Sequence, residues 1–344
     1  MSEQMNLITA RTAVLEGPRN LRFKEETLDP AALGEGELLC ATIVSAISPG
    51  TELAAYTDAP PLRPGVVYPR LVGYCNVARV LACGKTVSGI APGDRILSFS
   101  SHRSHFCLAA TDALAVLPEG VVSDDAACAY LFHLGYNAVL KSGLRPGSEV
   151  VVIGLGVLGL TTVALAALAG AHVFAISDHE SPREKALAFG ATACFSRAEF
   201  PQLAERLGPA RAQVVITTSN TWADWRLALE GAGQRGTIAV LGFPGRQETA
   251  IPFNPLDSAH FYMRQLCITA VGMSPELPDS RGFLPFNERA NLKRLLDWIE
   301  AGRLLPAELV SGRFPGSQLA SAYESLLRRE GSPLTYLLDW SAGQ

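Results

Sequence analysis

No two of the seven cysteines (Cys40, Cys75, Cys83, Cys107, Cys128, Cys194 and Cys267) stand as a C-x-x-C pair. Their odd number and wide spacing argue against a disulfide framework and against a four-thiolate zinc lobe. A reducing cytoplasm is expected, with most thiols acting as small buried hydrophobes. Positive charge is not in excess either: 29 Lys and Arg face 33 Asp and Glu, a net charge of −4. That balance excludes a nucleic-acid polyanion as the expected partner. Met1–Gly17 lacks the apolar core of a signal peptide, and no internal repeat or low-complexity tract occurs. One uncharged run, Val150–Ala171, has the length of a membrane span, but glycines at 154, 156, 159 and 170 interrupt it. It is predicted to be a buried strand, a turn and a helix, so no membrane partner is expected.

What is present suits a sizeable core: 48% of the 344 residues are apolar and 18% charged, enough for two domains. Residues 1–125 read as β-rich, with strands expected at Ala10–Leu15, Glu37–Ile47, Asn76–Ala82, Asp94–Phe99 and His105–Ala109. Pro30, Pro49, Pro60, Pro61, Pro64 and Pro69 crowd a stretch expected to form loops over a site. A helix over Asp124–Lys141, capped by Ser123 or Asp124, opens an alternating region. Strands follow at Glu149–Ile153, His172–Ser177, Gln213–Thr217 and Thr237–Leu241. Helices are expected near Gly156–Ala169, Pro182–Phe189 (stopped by Gly190) and Trp222–Gly231. Such alternation implies a parallel sheet with crossover helices. Helices at Asn287–Ala301 and Ser317–Arg329 and a last strand at Leu334–Asp339 return the chain to the first domain.

Gly154-Leu155-Gly156-Val157-Leu158-Gly159 is a G-x-G-x-x-G turn placed directly after a strand and at the start of a helix. The first glycine permits the tight turn, the second lets a pyrophosphate approach the backbone, and the third lets helix and strand pack closely. The helix N-terminus then offers free N–H groups to the phosphates. At the ribose end, Ser177 takes the place where an acidic residue normally binds the 2′-hydroxyl of NAD, with Asp178 and Glu180 close behind. Ser177 leaves room for the 2′-phosphate of NADP and Arg183 could compensate its charge, which tilts the expected NAD(P) preference toward NADP. Thr217, Leu241, Gly242 and Phe243, at the ends of later strands, complete the expected cofactor set.

The β-rich first half, Ala91-Pro92-Gly93-Asp94-Arg95, the glycine motif, the Gly170-Ala171 and Gly190-Ala191 pairs, and Arg235-Gly236-Thr237 before Leu241-Gly242 act together. With these pieces the chain resembles the medium-chain dehydrogenase/reductase superfamily over essentially its whole length. The resemblance implies an α/β fold: a Rossmann doubly wound parallel sheet over residues 126–285, and a β-rich GroES-like catalytic domain from 1–125 and 286–344. It also implies a homodimer pairing through the apolar run Leu266–Val271. Zinc members carry Cys-Gly-Thr-Asp and Gly-His-Glu. This chain has Pro49-Gly50-Thr51-Glu52 and Gly73-Tyr74-Cys75, and the third ligand position falls near Tyr130. Proline and tyrosine do not serve a zinc ion, so no metal is expected. His102, His105 and Cys107 are an alternative metal set, disfavoured because that segment leads into a strand.

The Ser48-Pro49-Gly50-Thr51-Glu52 form is similar to zinc-lacking relatives of the bacteriochlorophyllide dehydrogenase type, which oxidise secondary alcohols. Without a Lewis acid, hydroxyls or imidazoles must polarise the oxygen. Thr51 matches the family's relay hydroxyl, while the next relay position holds Ala54. Thr51, Tyr74 and Ser48 are the candidate catalytic residues. Tyr56, Cys75, His133, Asp257, His260 and Tyr262 are the candidate substrate contacts, although His133 also reads as a core histidine and 254–262 as an interdomain or dimer loop. The expected activity is zinc-independent, NAD(P)-dependent interconversion of a secondary alcohol, sugar- or cyclitol-like, and a ketone. NADPH-dependent reduction of an activated C=C bond and a non-catalytic NAD(P)-binding protein remain as alternatives.

Overall fold

The computed structural model describes residues 6–59, 67–242, 251 and 253–341. The chain divides into two units, Met1–Tyr130 with Leu292–Gln344, and Leu131–Asn291.

The second unit is a six-stranded, all-parallel sheet. Its strand order is Ala193–Phe195, His172–Ile176, Glu149–Ile153, Ala212–Thr217, Ala232–Val240, Cys267–Ala270. In chain order that is 3-2-1-4-5-6, the doubly wound arrangement that puts a crevice beside the first strand, where the order reverses. Val150, Val151, Val152 and Ile153 are fully buried, as expected of a β-branched run covered on both faces. Their neighbours in register are Val173–Ile176 on one side and Val214–Thr217 on the other. The uncharged run resolves into this strand and the helix Val157–Leu168, and among the described residues no helix is long and apolar enough to cross a membrane. The run around Leu266–Val271 supplies Cys267–Ala270, the edge strand of the sheet.

The first unit is built on strand Glu37–Ala46. It pairs antiparallel with Asn76–Cys83, His105–Ala109 and Thr335–Asp339 inside a seven-stranded sheet. A second, three-stranded sheet holds Ile8–Gly17 between Asn20–Leu28 and Arg70–Leu71. One core cluster packs Leu38, Cys40, Ala78, Val80, Ile96 and Phe106. Another joins Ile47, Tyr56, Val72, Tyr323, Leu338 and Trp340, and this one lies beneath the candidate site.

Several elements differ from the sequence reading. The helix expected over Asp124–Lys141 is two, Ser123–Ala127 and Ala129–Lys141, and its cap is Val122. The expected caps are engaged elsewhere: the Arg95 guanidinium takes the Ser123 hydroxyl at 3.2 Å, and Arg313 pairs with Asp124. At the break the Cys128 N–H bonds to Asp125 O at 3.1 Å, a tightened last turn. Pro49–Tyr56, read as loop, is a helix with proline at its first position, where the missing N–H is no loss. The helix expected from Pro182 starts at Glu180, capped by His179. The strands Asn20–Leu28, Ala193–Phe195 and Val310–Pro315 and the helix Phe200–Leu207 were absent from the sequence reading.

Candidate active site

In the second unit the glycine motif forms a cradle with stringent steric demands. Gly154 adopts φ +92°, a conformation side chains rarely take, and its N–H bonds to Ile176 O at 3.0 Å. A Cβ on Gly159 would lie 1.8 Å from Gly154 O, so helix and strand approach as closely as backbone allows. A Cβ on Gly156 would meet nothing within 4 Å. The open side of the turn therefore belongs to Gly156, which caps the Val157–Leu168 helix with no side-chain hydrogen bond over its first N–H groups. Those features fit the pyrophosphate of NAD(P). Leu155 is buried, and Val157 and Leu158 are half-buried.

The later strands close on the cradle. Leu241 N–H and Gly242 N–H both bond Thr217 O at 2.9 Å, and a Cβ on Gly242 would press to 2.4 Å from Ser219 O. Thr218, which the sequence reading passed over, sets its hydroxyl 2.9 Å from Gly154 O. Phe243 lies outside the described residues.

At the ribose end Ser177 is buried, and its hydroxyl accepts the His179 N–H at 3.3 Å. Asp178, beside it, is held by Arg197. Its carboxylate receives the Arg197 N–H at 2.8 Å and Arg197 Nη1 at 2.7 Å, and this bonding holds its carboxyl below the usual range. Arg197 also grips the buried Asp224 bidentately, at 2.6 and 2.7 Å. Arg183 reaches Ser177 O at 3.4 Å. Arg197 was missed because it follows Ala193–Phe195, a strand too short to show a periodic pattern.

In the first unit Ser48, Thr51 and Tyr74 come together. The Tyr74 phenol donates to Ser48 Oγ. Burial pushes the phenol well above its ordinary value, the neighbouring Cys75 adds to the rise, and hydrogen bonds with Ser48 and Thr51 act against it. The phenol is thus a protonated donor at neutral pH. Tyr130 stands edge-on to the Tyr74 ring, centroids 5.5 Å apart, and Phe99 stands edge-on to Tyr130 at 4.9 Å. Of the positions that the resemblance assigns to zinc ligands, one holds Pro49, which has no side-chain donor atom, one holds Tyr74, and the third falls near Tyr130 in the same aromatic cluster. That donor set does not fit a zinc ion.

Beneath Tyr74 and Ser48 lies a buried polar cluster. Glu52 Oε1 accepts the Ser48 N–H at 2.7 Å. Glu52 Oε2 faces His102 Nε2 at 2.8 Å and the Tyr323 hydroxyl at 2.5 Å. His102 Nδ1 meets Ser45 Oγ at 2.8 Å, and Ser45 Oγ accepts Trp340 Nε1–H at 3.0 Å. His102, a member of the alternative metal set by sequence, is the partner of a carboxylate here.

Three expected substrate contacts are interior residues. Tyr56 packs 5.0 Å from the Tyr323 ring and donates its hydroxyl to Glu324 at 3.0 Å. Cys75 is fully buried, and burial raises its thiol well above the ordinary value. His133 is 1% exposed and meets Asn291 Nδ2 at 3.2 Å; burial, with a smaller effect from Lys141, pushes it down to about 4. Asp257 and His260 form their own local pair at 2.8 Å around the turn Ser258–Tyr262, and Tyr262 is 74% exposed.

Residues 157–284 match the family model described as zinc-binding dehydrogenase. The chain is 25% identical over 278 residues to sorbitol dehydrogenase of Bacillus subtilis, covering 71% of this chain and 77% of that protein. The structure of 2R,3R-butanediol dehydrogenase from Bacillus subtilis superposes with a TM-score of 0.79 at 16% identity, covering 96% of this chain and 99% of that one. An NADP-bound structure described as a putative zinc-binding dehydrogenase, from Sinorhizobium meliloti 1021, gives 0.76 at 20% identity over the same shares. With the doubly wound sheet, the glycine cradle and these matches, the chain is similar to the zinc-binding-type medium-chain dehydrogenases and reductases and shares their fold.

Proposed function

We propose that the protein is an NAD(P)-dependent oxidoreductase that interconverts a secondary alcohol of the polyol class and its ketone, with the Tyr74 phenol in place of a zinc ion at the reacting oxygen. The observation that carries this reading is the Tyr74–Ser48–Thr51 hydroxyl cluster, built around Tyr74, which takes a position that the resemblance assigns to a zinc ligand. The sorbitol and butanediol dehydrogenases among the similar proteins support the substrate class.

The bound cofactor supplies or accepts the hydride. The chain's own part is to orient the substrate and manage one proton. Because burial keeps Tyr74 protonated, its Oη–H can turn from Ser48 Oγ to a ketone oxygen and stabilise the charge that develops there. The Ser48 and Thr51 hydroxyls can then donate to the phenol oxygen as its proton leaves. We also assign NADP the tighter binding, since Ser177 lacks a carboxylate and Asp178 is already neutralised by Arg197; titration with both cofactors checks it.

The test is turnover of 2,3-butanediol and sorbitol, and of the matching ketones, with NAD and NADP, in chelator and in added zinc. Activity is expected to survive the chelator, and an enone is expected to be a poor substrate. Tyr74→Phe should lower kcat by about a hundredfold to a thousandfold, the loss typical of one oxyanion donor, with KM little changed. No inflection from Tyr74 is expected in the pH profile below about pH 10, the ordinary value of a tyrosine, because burial raises it. Full turnover by Tyr74→Phe, or loss of turnover on chelation, would refute the assignment.

A further inference from the structure

We propose that Glu52 and His102 are positioning residues: a buried carboxylate–imidazole pair that holds Ser48 and Tyr74 in contact and so aims the phenol. The inference rests on the reading of Tyr74 given above, but its geometry is independent of it.

Each half of the Tyr74–Ser48 contact is tied to one member of the pair. Glu52 reaches back to the Ser48 N–H at 2.7 Å, which fixes the start of the Pro49–Tyr56 helix and leaves the Ser48 hydroxyl free of any capping bond. His102 serves the other half. Its N–H bonds Val72 O at 2.8 Å, and its ring lies so close under Gly73 that a Cβ there would come within 2.6 Å of it. Gly73 itself takes φ +88°, so the chain presents Tyr74 from a backbone shape that the imidazole can underlie only because no side chain intervenes.

The donors and acceptors show why the pair is rigid. The Trp340 indole can only donate, so Ser45 Oγ accepts from it and has its own proton for His102 Nδ1. His102 Nε2–H then donates to Glu52 Oε2, beside the Tyr323 hydroxyl. Every group in this chain is satisfied, and a carboxylate accepting three donors is held by all of them. The link from Glu52 to Ser48 runs through a backbone N–H, not through the Ser48 hydroxyl. The cluster therefore does not pass protons to Tyr74; it orients it. A 1 Å misplacement of a reacting group lowers rates by about a hundredfold, so such a device acts on kcat.

The test uses the full-length protein with 3-fluorotyrosine at position 74, read by 19F NMR. The unsubstituted cluster should give one narrow resonance. Glu52→Gln keeps the shape but turns amide hydrogens toward groups that already donate, and should shift or split that resonance with cofactor affinity unchanged. With 2,3-butanediol as probe, kcat should fall by about tenfold or more, and the same substitution should have little further effect in a Tyr74→Phe background. Tyr323→Phe removes one donor to the same oxygen and serves if Glu52→Gln does not fold. A folded variant with an unmoved Tyr74 resonance would overturn the proposal, as would equal kcat losses in both backgrounds. A moved resonance with full turnover by Tyr74→Phe would leave the positioning intact and remove the chemical role of Tyr74.

Discussion

Replacing Gly159 by alanine is expected to abolish cofactor binding and to destabilise the fold, whereas the same change at Gly156 should abolish binding alone. Helix propensity by itself would favour alanine at position 159 by about 1 kcal/mol. The added methyl would stand 1.8 Å from Gly154 O and 2.8 Å from Gly154 C, and these are backbone atoms with no rotamer to change. Gly154 is held from the other side as well, by its bond to Ile176 and by the Thr218 hydroxyl. The helix must retreat from the strand, an overpacking cost of about 1–3 kcal/mol that outweighs the propensity gain. At Gly156 the methyl meets no protein atom, so the melting temperature should be kept while the methyl occupies the pyrophosphate's space. Thermal unfolding and fluorescence titration with NADPH on both variants decide it. Normal NADPH binding by either variant would contradict the cradle assignment.

The second large effect is a loss of stability in mild acid traceable to His133. Asn291 Nδ2 can only donate, so His133 Nε2 accepts and the ring is neutral. The same Asn291 group donates to Ser274 Oγ at 3.0 Å, and Ser274 donates to Asn137 Oδ1 at 2.5 Å, within a buried polar set. Burial first and Lys141 second push His133 from 6.5 down to about 4. The sign follows from linkage. Between those values the unfolded chain binds the proton and the folded chain does not, so stability is present above the unfolded value and is lost as pH falls toward the folded one. The loss across that window is about 3 kcal/mol at most. Urea midpoints at pH 7, 5.5 and 4 measure it. His133→Gln keeps an acceptor and cannot titrate, so its profile should be flatter by that amount. Equal slopes for the two proteins would count against the assignment.

The glycine motif could be read from the sequence because all its causes are local: a buried β-branched strand, three glycines at set spacing, and an uncharged helix. The residues at the positions that the resemblance assigns to zinc ligands were legible for the same reason, since Pro49 and Tyr74 announce their chemistry by residue type alone. The substrate contacts were harder. Tyr56, Cys75 and His133 carry useful functional groups, but burial decides whether a group faces a ligand, and burial depends on helices and strands far along the chain.

Sequence by itself determined the alternation of strands and helices, the glycine cradle and the residue types at the positions where the resemblance expects metal ligands. Tertiary structure alone decided how polar groups are used. Ser123 reads as a helix cap, yet Arg95 takes its hydroxyl, and Asp178 reads as a ribose-end residue, yet Arg197 from a neighbouring strand end takes its carboxylate. Glu52 lies 50 residues from His102 and 271 from Tyr323, yet all three meet in one buried cluster. The physical reason is common to these cases: a residue's type states which hydrogen bonds it can make, but only the folded chain determines which partner stands within 3 Å.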